Sequence, residues 1–258
     1  MARPERLIAV FDSGLGGISV LRELIRQMPC ENFLYFGDSV NAPYGSRSTA
    51  EVRALTMDRI GELMTRGLKA VVVACNTATS AAIDELRRKY PDVVIVGIEP
   101  ALKLAAERCP RGRIIVMATE VTLREKKFAR LMAQYGASRD ILPLPCPELV
   151  RFVEKGILDG PEVEGHLRAI LAPALRADVS AIVLGCTHFP FLKPVLRRVV
   201  GPEVRFFDGS EGTSAQTRRL LSERGILRNE GDLSVTLENS IGNPEILDLS
   251  AKLLEYDY

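Results

Sequence analysis

The chain has 258 residues, 47% of them hydrophobic and 26% charged, with a formal net charge of +1. That balance is ordinary for a globular fold and gives no electrostatic reason to expect nucleic acid or an anionic membrane surface as a partner. There is no apolar stretch of membrane-spanning length and no signal-peptide core, so a cytoplasmic protein is expected. Five cysteines without framework spacing read as reduced thiols, and two isolated histidines argue against a structural zinc site.

Along the chain, short apolar runs alternate with amphipathic segments. Strands are predicted at 7–11, 33–37, 70–74, 93–97, 114–118, 181–185 and 204–207. Helices are predicted at 17–28, 49–66, 79–89, 100–108, 122–135, 148–156, 162–176, 191–199 and 212–224. The alternation predicts an α/β fold with mainly parallel sheets and crossover helices. Arg87-Arg88-Lys89 and Arg124-Glu125-Lys126-Lys127 read as solvated helix faces.

The first loop, Phe11-Asp12-Ser13-Gly14-Leu15-Gly16-Gly17, has glycines between a strand and a helix, as a dinucleotide fingerprint does, and Asp38 follows at a suitable distance. The third fingerprint glycine, however, is Ser19, and Asp12 would repel a pyrophosphate. The better reading is that the glycines let Asp12 and Ser13 project into a cleft while the helix packs closely. In the next loop, Pro43-Tyr44-Gly45 reads equally as a turn and as a ligand loop at a strand's C-terminal end.

Two later segments are built alike: Val71-Val72-Val73-Ala74-Cys75-Asn76-Thr77 and Ile182-Val183-Leu184-Gly185-Cys186-Thr187-His188. Each places a cysteine at the C-terminal end of a buried strand, where open α/β sheets bind ligands and where a following helix N-terminus lowers a thiol pKa. Upstream, Ile8–Gly14 aligns with Ile114–Glu120 at an offset of 106, and the two cysteines are offset by 111. The repeat predicts two similar, pseudo-symmetric lobes, each a mainly parallel sheet flanked by helices, with the active site in the cleft between them. The first lobe is expected to be discontinuous, 1–97 plus 208–258, and the second to span 98–207. Cys186-Thr187-His188 does not read as a cysteine-protease pair, because a nucleophilic cysteine usually recruits its base from elsewhere in the chain. His166 reads as a surface or packing residue and Cys30 and Cys109 as structural; Cys146 precedes the helix that carries Glu154.

Phe-Asp-Ser-Gly-Leu-Gly-Gly at 11–17, Gly-Asp-Ser at 37–39 with Pro-Tyr-Gly at 43–45, Ala-Cys-Asn-Thr-Ala at 74–78 and Gly-Cys-Thr-His-Phe-Pro at 185–190 together resemble glutamate racemase, of the aspartate/glutamate racemase superfamily. The resemblance runs in the family's order and spacing from residue 7 to about 225. It implies a cofactor-independent enzyme that interconverts L- and D-glutamate, supplying D-glutamate for peptidoglycan, with glutamate as its small-molecule partner and no metal. A homodimer is compatible with it. By the resemblance, Cys75 and Cys186 are the catalytic acid/bases, assisted by Asp12, His188 and Glu154. Asp12, Ser13, Tyr44, Gly45, Asn76, Thr77, Thr119, Thr122, Thr187 and His188 would hold the substrate.

The chain departs from the family in two places. Val121 stands where a glycine is common, and Glu148 and Arg151 stand in a run that is mostly apolar or proline. Some members bind a cell-wall precursor as activator through an N-terminal extension; with a first strand beginning at residue 7, no such activation is expected. The chemistry suits paired thiols, since inversion needs a base on one face of the α-carbon and an acid on the other. Lowering a thiol pKa from near 8.5 by about one to two units takes roughly 1.4–2.7 kcal/mol. Other readings are a superfamily enzyme acting on aspartate or a hydantoin, and a dinucleotide-binding oxidoreductase, which would have no use for paired thiols.

Overall fold

The computed structural model describes residues 6–99, 101–124 and 126–258. Pro100 and Glu125, which fall within the predicted helices 100–108 and 122–135, lie outside the described residues, as does the start of the predicted first lobe. Strands β1 (Leu7–Asp12), β2 (Asn32–Gly37), β3 (Leu68–Val73) and β4 (Val94–Gly97) belong to one sheet. Strands β5 (Arg113–Ala118), β6 (Ile141–Pro145), β7 (Val179–Leu184) and β8 (Arg205–Asp208) form a second. A last strand, β9 (Ser234–Asn239), returns to the first sheet beside β2. The orders are β4-β3-β1-β2-β9 and β6-β5-β7-β8, with every pairing parallel. Strands β1–β4 of the first sheet thus recur as β5–β8 in the second, the order being the same when one is read backwards.

The repeat extends to irregularities. The β1–β3 register slips between Leu7 and Ile8, and the β5–β7 register slips between Arg113 and Ile114, 106 residues later. Beyond the sheet, the Ala74 N–H donates to the Phe11 carbonyl at 2.8 Å and the Gly185 N–H to the Met117 carbonyl at 2.7 Å. The same backbone bond therefore places the residue before each cysteine.

Eleven α-helices lie among the described residues: α1 (Ile18–Gln27), α2 (Thr49–Met64), α3 (Asn76–Lys89), α4 (Leu102–Arg108), α5 (Glu120–Arg124), α6 (Lys126–Tyr135), α7 (Pro147–Glu154), α8 (Pro161–Leu171), α9 (Lys193–Val200), α10 (Ser210–Glu223) and α11 (Pro244–Glu255). None is long and apolar enough to cross a membrane. Central strands are covered on both faces, which is why they read as continuous apolar runs; all six residues of β3 are buried. The period of two sorts their side chains. Ala9, Phe11, Val71 and Val73 pack against α2 and α3, while Ile114, Val116, Ala181 and Val183 pack against α4 and α6. The opposite faces, including Val10, Val72, Ile115 and Ile182, share one core with α1, α7, α8, α9, α10 and α11.

Three elements escape the sequence pattern. β6, Ile-Leu-Pro-Leu-Pro, is an edge strand, the position in a sheet that tolerates proline. β9 is also an edge, with a largely half-buried pattern. α11 is N-capped by Asn243, whose Oδ1 accepts the Ile246 N–H, with Pro244 in its first turn. The predicted helix at 191–199 begins instead with a 3₁₀ turn, Phe189–Leu192, so no α-helix starts at Cys186. By contrast α3 begins at Asn76, earlier than the predicted 79, with Cys75 as its N-cap.

Candidate active site

The C-terminal ends of β1, β3, β5 and β7 open onto a cavity of about 140 Å³ between the two sheets. A dry cavity of about 150 Å³ holds a benzene-sized molecule, so this space admits a small metabolite and no macromolecular segment. Cys75 and Cys186 both line it, with Ser13, Tyr44, Gly45, Asn76, Thr77, Thr119, Thr122, Glu154, Thr187 and His188. Asp12, placed by sequence on the substrate, does not line the cavity and is fully buried behind its wall.

Cys75 caps α3. Its Sγ accepts the Ala78 N–H and the Ser13 hydroxyl, both at 3.4 Å. Sequence reasoning expects a helix N-terminus to lower this thiol's pKa, and those two bonds act that way. Burial works harder in the other direction, Asp12 and Cys186 add to it, and the thiol is pushed up to about 12. These surroundings favour the protonated thiol at Cys75.

Cys186 has different company. Its Sγ lies 3.5 Å from His188 Nδ1, and His188 Nε2 lies 2.6 Å from Glu154 Oε1. Burial opposes a charge on the imidazole, but Cys186 and Glu154 outweigh it and hold His188 well above the ordinary imidazole range. Glu154 is fixed in turn by the Leu15 N–H at 2.8 Å. This approach explains the glycine loop. A Cβ on Gly14 would sit 2.1 Å from Glu154 Oε1, and one on Gly16 would sit 2.4 Å from His188 Nδ1. The glycines thus make room for a side-chain network rather than for a pyrophosphate.

Asp12 supports the same wall. Its Oδ1 accepts the Gly14 N–H at 3.0 Å and its Oδ2 the Thr187 hydroxyl at 3.1 Å. Burial raises its pKa, against the opposing pull of His188 and those two donors. Across the cavity Thr77, Thr119 and Thr122 join their hydroxyls at 3.0–3.4 Å, linking α3 to the β5 side. The repeat is visible here too: the loop after β1 meets the segment after β7 through Asp12 and Thr187, and the loop after β5 meets α3 through Thr119 and Thr77.

Tyr44 and Gly45 do face the cavity, which resolves the Pro-Tyr-Gly segment as both turn and wall. The Tyr44 hydroxyl donates to Asp38 Oδ2 at 2.7 Å, and Asn41 also bonds that carboxylate. Asn76 Oδ1 is buried at the cavity with no partner among the described residues, an acceptor available to a ligand donor. Sequence reasoning missed Ala42, Ser46, Pro147, Val150, Arg151 and Gly185 in the lining. The spacing of Pro147, Val150, Arg151 and Glu154 is one face of α7, a signal available once Glu154 was chosen. Cys146 is buried and its thiol is raised to about 12, first by burial and then by Cys186; its Sγ lies 3.3 Å from the Leu144 carbonyl. Cys109 packs in the core beside α4, and His166 packs edge-on against Phe152 at 5.6 Å. Among the described residues no cluster of His, Cys, Asp and Glu has metal-binding geometry.

Two doubly covered parallel sheets of an α/β fold thus bring one thiol each to the same cavity. Residues 16–215 match the family described as Asp/Glu/Hydantoin racemase. A glutamate racemase of Clostridium botulinum (strain Alaska E43 / Type E3) is 50% identical over 256 residues, 99% of each chain. Solved structures agree: a glutamate racemase isoform of Bacillus anthracis superposes with a TM-score of 0.86 at 29% identity, covering 99% of this chain and 96% of that one. Escherichia coli glutamate racemase, solved with L-glutamate, gives 0.84 at 30% identity, covering 97% and 93%. The chain belongs to the Asp/Glu/Hydantoin racemase family, in its glutamate racemase branch.

Proposed function

We propose that the protein interconverts L- and D-glutamate, with Cys75 and Cys186 as the two acid/bases, and that it acts in the cytoplasm to supply D-glutamate for cell-wall synthesis. The observation that carries the mechanism is that each thiol lines the same cavity with a separate set of proton-handling partners. In one direction the thiolate at one cysteine takes the α-proton, forming S–H as C–H breaks. The opposite thiol then gives its proton to the other face of the carbanion, forming C–H as S–H breaks. The reverse direction exchanges the roles, so each turnover leaves the pair with its protons interchanged. The raised pKa of Cys75 supports a resting proton on that thiol. Such pairs titrate as a unit.

The carbanion needs hydrogen-bond donors in a site without bulk water. Thr187, the Thr77, Thr119 and Thr122 hydroxyls, Asn76 and the backbone at Tyr44–Gly45 are the groups assigned to the substrate's carboxylates and ammonium. Asp12 is assigned to positioning Thr187 and to the charge balance of His188 and Cys75. The two lobes, residues up to 97 with 208–258 and residues 98–207, open and close the cavity in this reading. Incubating purified protein with single enantiomers of glutamate and aspartate, followed by chiral chromatography, tests it. Conversion of both glutamate enantiomers is expected; inert glutamate alongside converted aspartate would reassign the substrate.

A further inference from the structure

Only one lysine or arginine lines the cavity among the described residues, and it is Arg151. It stands on the inward face of α7, one turn before Glu154 and next to Val150. Its side chain is 70% exposed, which puts the guanidinium at the cavity mouth rather than at its floor. Its partner is Glu148, at 3.1 Å and itself 48% exposed. An exposed pair three residues apart on a helix is weak and reforms readily with a better anion.

The other charges at the cavity are already engaged. Glu154 holds His188 and the Leu15 N–H, and His188 lies between Glu154 and Cys186. Asp12, also acidic, is buried behind the wall. An incoming dicarboxylic amino acid, with two carboxylates and one ammonium, carries a net negative charge. It would approach a site whose fixed carboxylates repel it and whose remaining donors are neutral hydroxyls and amides. A guanidinium at the entrance counters that repulsion and can hold a carboxylate through two parallel N–H bonds.

We propose that Arg151 is a specificity-determining residue, which captures a substrate carboxylate at the mouth and favours dicarboxylic over neutral amino acids. The proposal rests on the glutamate reading above and deepens it. Capture at the mouth acts on binding and encounter, so it should move KM and the salt dependence rather than the chemical step.

The test measures kcat and KM for both glutamate enantiomers at low and high salt, for the unmodified protein and for Arg151→Gln, Arg151→Ala and Arg151→Lys. Direct calorimetric titration of each protein with L-glutamate and L-glutamine accompanies the kinetics. Expected are a KM about three- to tenfold higher for the Gln and Ala variants, kcat within about twofold, a flattened salt dependence, and substantial retention of capture by Lys. Glutamate binding should weaken by the same factor and lose its preference over glutamine. Unchanged KM, binding and salt dependence in an active enzyme would overturn the proposal while leaving the racemase reading intact. A fall in kcat alone would overturn it as well, because Arg151 would then be supporting the geometry of α7. If the unmodified protein bound glutamate in an Arg151-dependent way without racemising it, capture would stand and the assigned reaction would fall; no glutamate binding at all would end both.

Discussion

Cys75 and Cys186 occupy equivalent ends of equivalent strands, and there the likeness stops. Cys75 N-caps an α-helix and receives two neutral donors, the Ser13 hydroxyl and the Ala78 amide. Cys186 is followed by a 3₁₀ turn and is met by an imidazole that a carboxylate holds in place. The repeated framework supplies position, and the loops supply chemistry. An enzyme that inverts a stereocentre needs two groups placed as a pair but holding one proton between them, and unlike surroundings for like groups provide that difference.

The largest expected effects come from removing either half. Cys75→Ala and Cys186→Ala should each abolish turnover in both directions, losing at least a hundred- to ten-thousandfold. Cys30→Ala and Cys109→Ala should stay near the unmodified rate, which separates the pair from the remaining thiols. Substantial activity after losing either member would break the comparison outright.

The partners should then sort by side. Glu154→Gln removes a charged acceptor from the Cys186 side, and a loss of about ten- to a hundredfold is expected; Ser13→Ala removes one neutral donor from the Cys75 side, about fivefold. One equilibrium constant ties kcat/KM in the two directions, so the asymmetry appears elsewhere. Primary deuterium isotope effects should increase for opposite enantiomers in the two variants. An increase for the same enantiomer in both would mean that the partners are not assigned to separate thiols.

Asp12 sharpens the contrast, because its charge raises Cys75 and also helps to retain the proton on His188. Asp12→Asn keeps the shape and removes the charge. It should lower kcat by about tenfold or more with little change in KM, and move the alkaline limb of kcat/KM, where the pair loses its shared proton, to lower pH. A change confined to KM would contradict a positioning role behind the wall.

A smaller effect concerns stability. The folded pKa of Cys75 and of Cys146 is raised from 9.0 to about 12. Unfolded thiols ionise first, so this stabilisation is complete below about pH 9 and is lost as pH rises toward 12. Urea midpoints should fall over that window, and Cys146→Ala should show a shallower fall despite its lower starting stability. An equal slope would show that Cys146 is not held protonated by its surroundings.

Much of this was legible in the chain. Interior strands such as β3 (Leu68–Val73) are buried throughout and announce themselves by apolar runs, here residues 70–73, and the 106-residue offset read from Ile8 and Ile114 recurs in the register slips of the sheets. The edges were not legible. Pro143 and Pro145 disguise β6, and β9 has no continuous apolar run because much of it is only half-buried. At the site, the strand-end pattern pointed to both thiols and the family resemblance to Glu154 and the threonine trio, and the cavity brings them together, but neither signal carries what surrounds them. A motif places Cys75 at a helix start and so argues for a lowered pKa; only packing reveals that burial and Asp12 prevail. Asp12 reads as a wall residue because it directly follows the apolar run 7–11, whereas it is the last residue of β1 and its carboxylate turns back to Gly14 and Thr187.

The central claim is that two bases work on opposite faces of one carbon. Its most direct test is the reaction of one pure glutamate enantiomer in deuterated water, stopped early, with the α-position of recovered substrate and of product examined separately. Product should carry solvent deuterium, delivered by the far thiol, while unreacted substrate stays largely protiated, because the thiol that took its proton is sealed from solvent until turnover ends. Early deuterium in substrate and product alike, or product that retains the original proton, would contradict separate bases at Cys75 and Cys186.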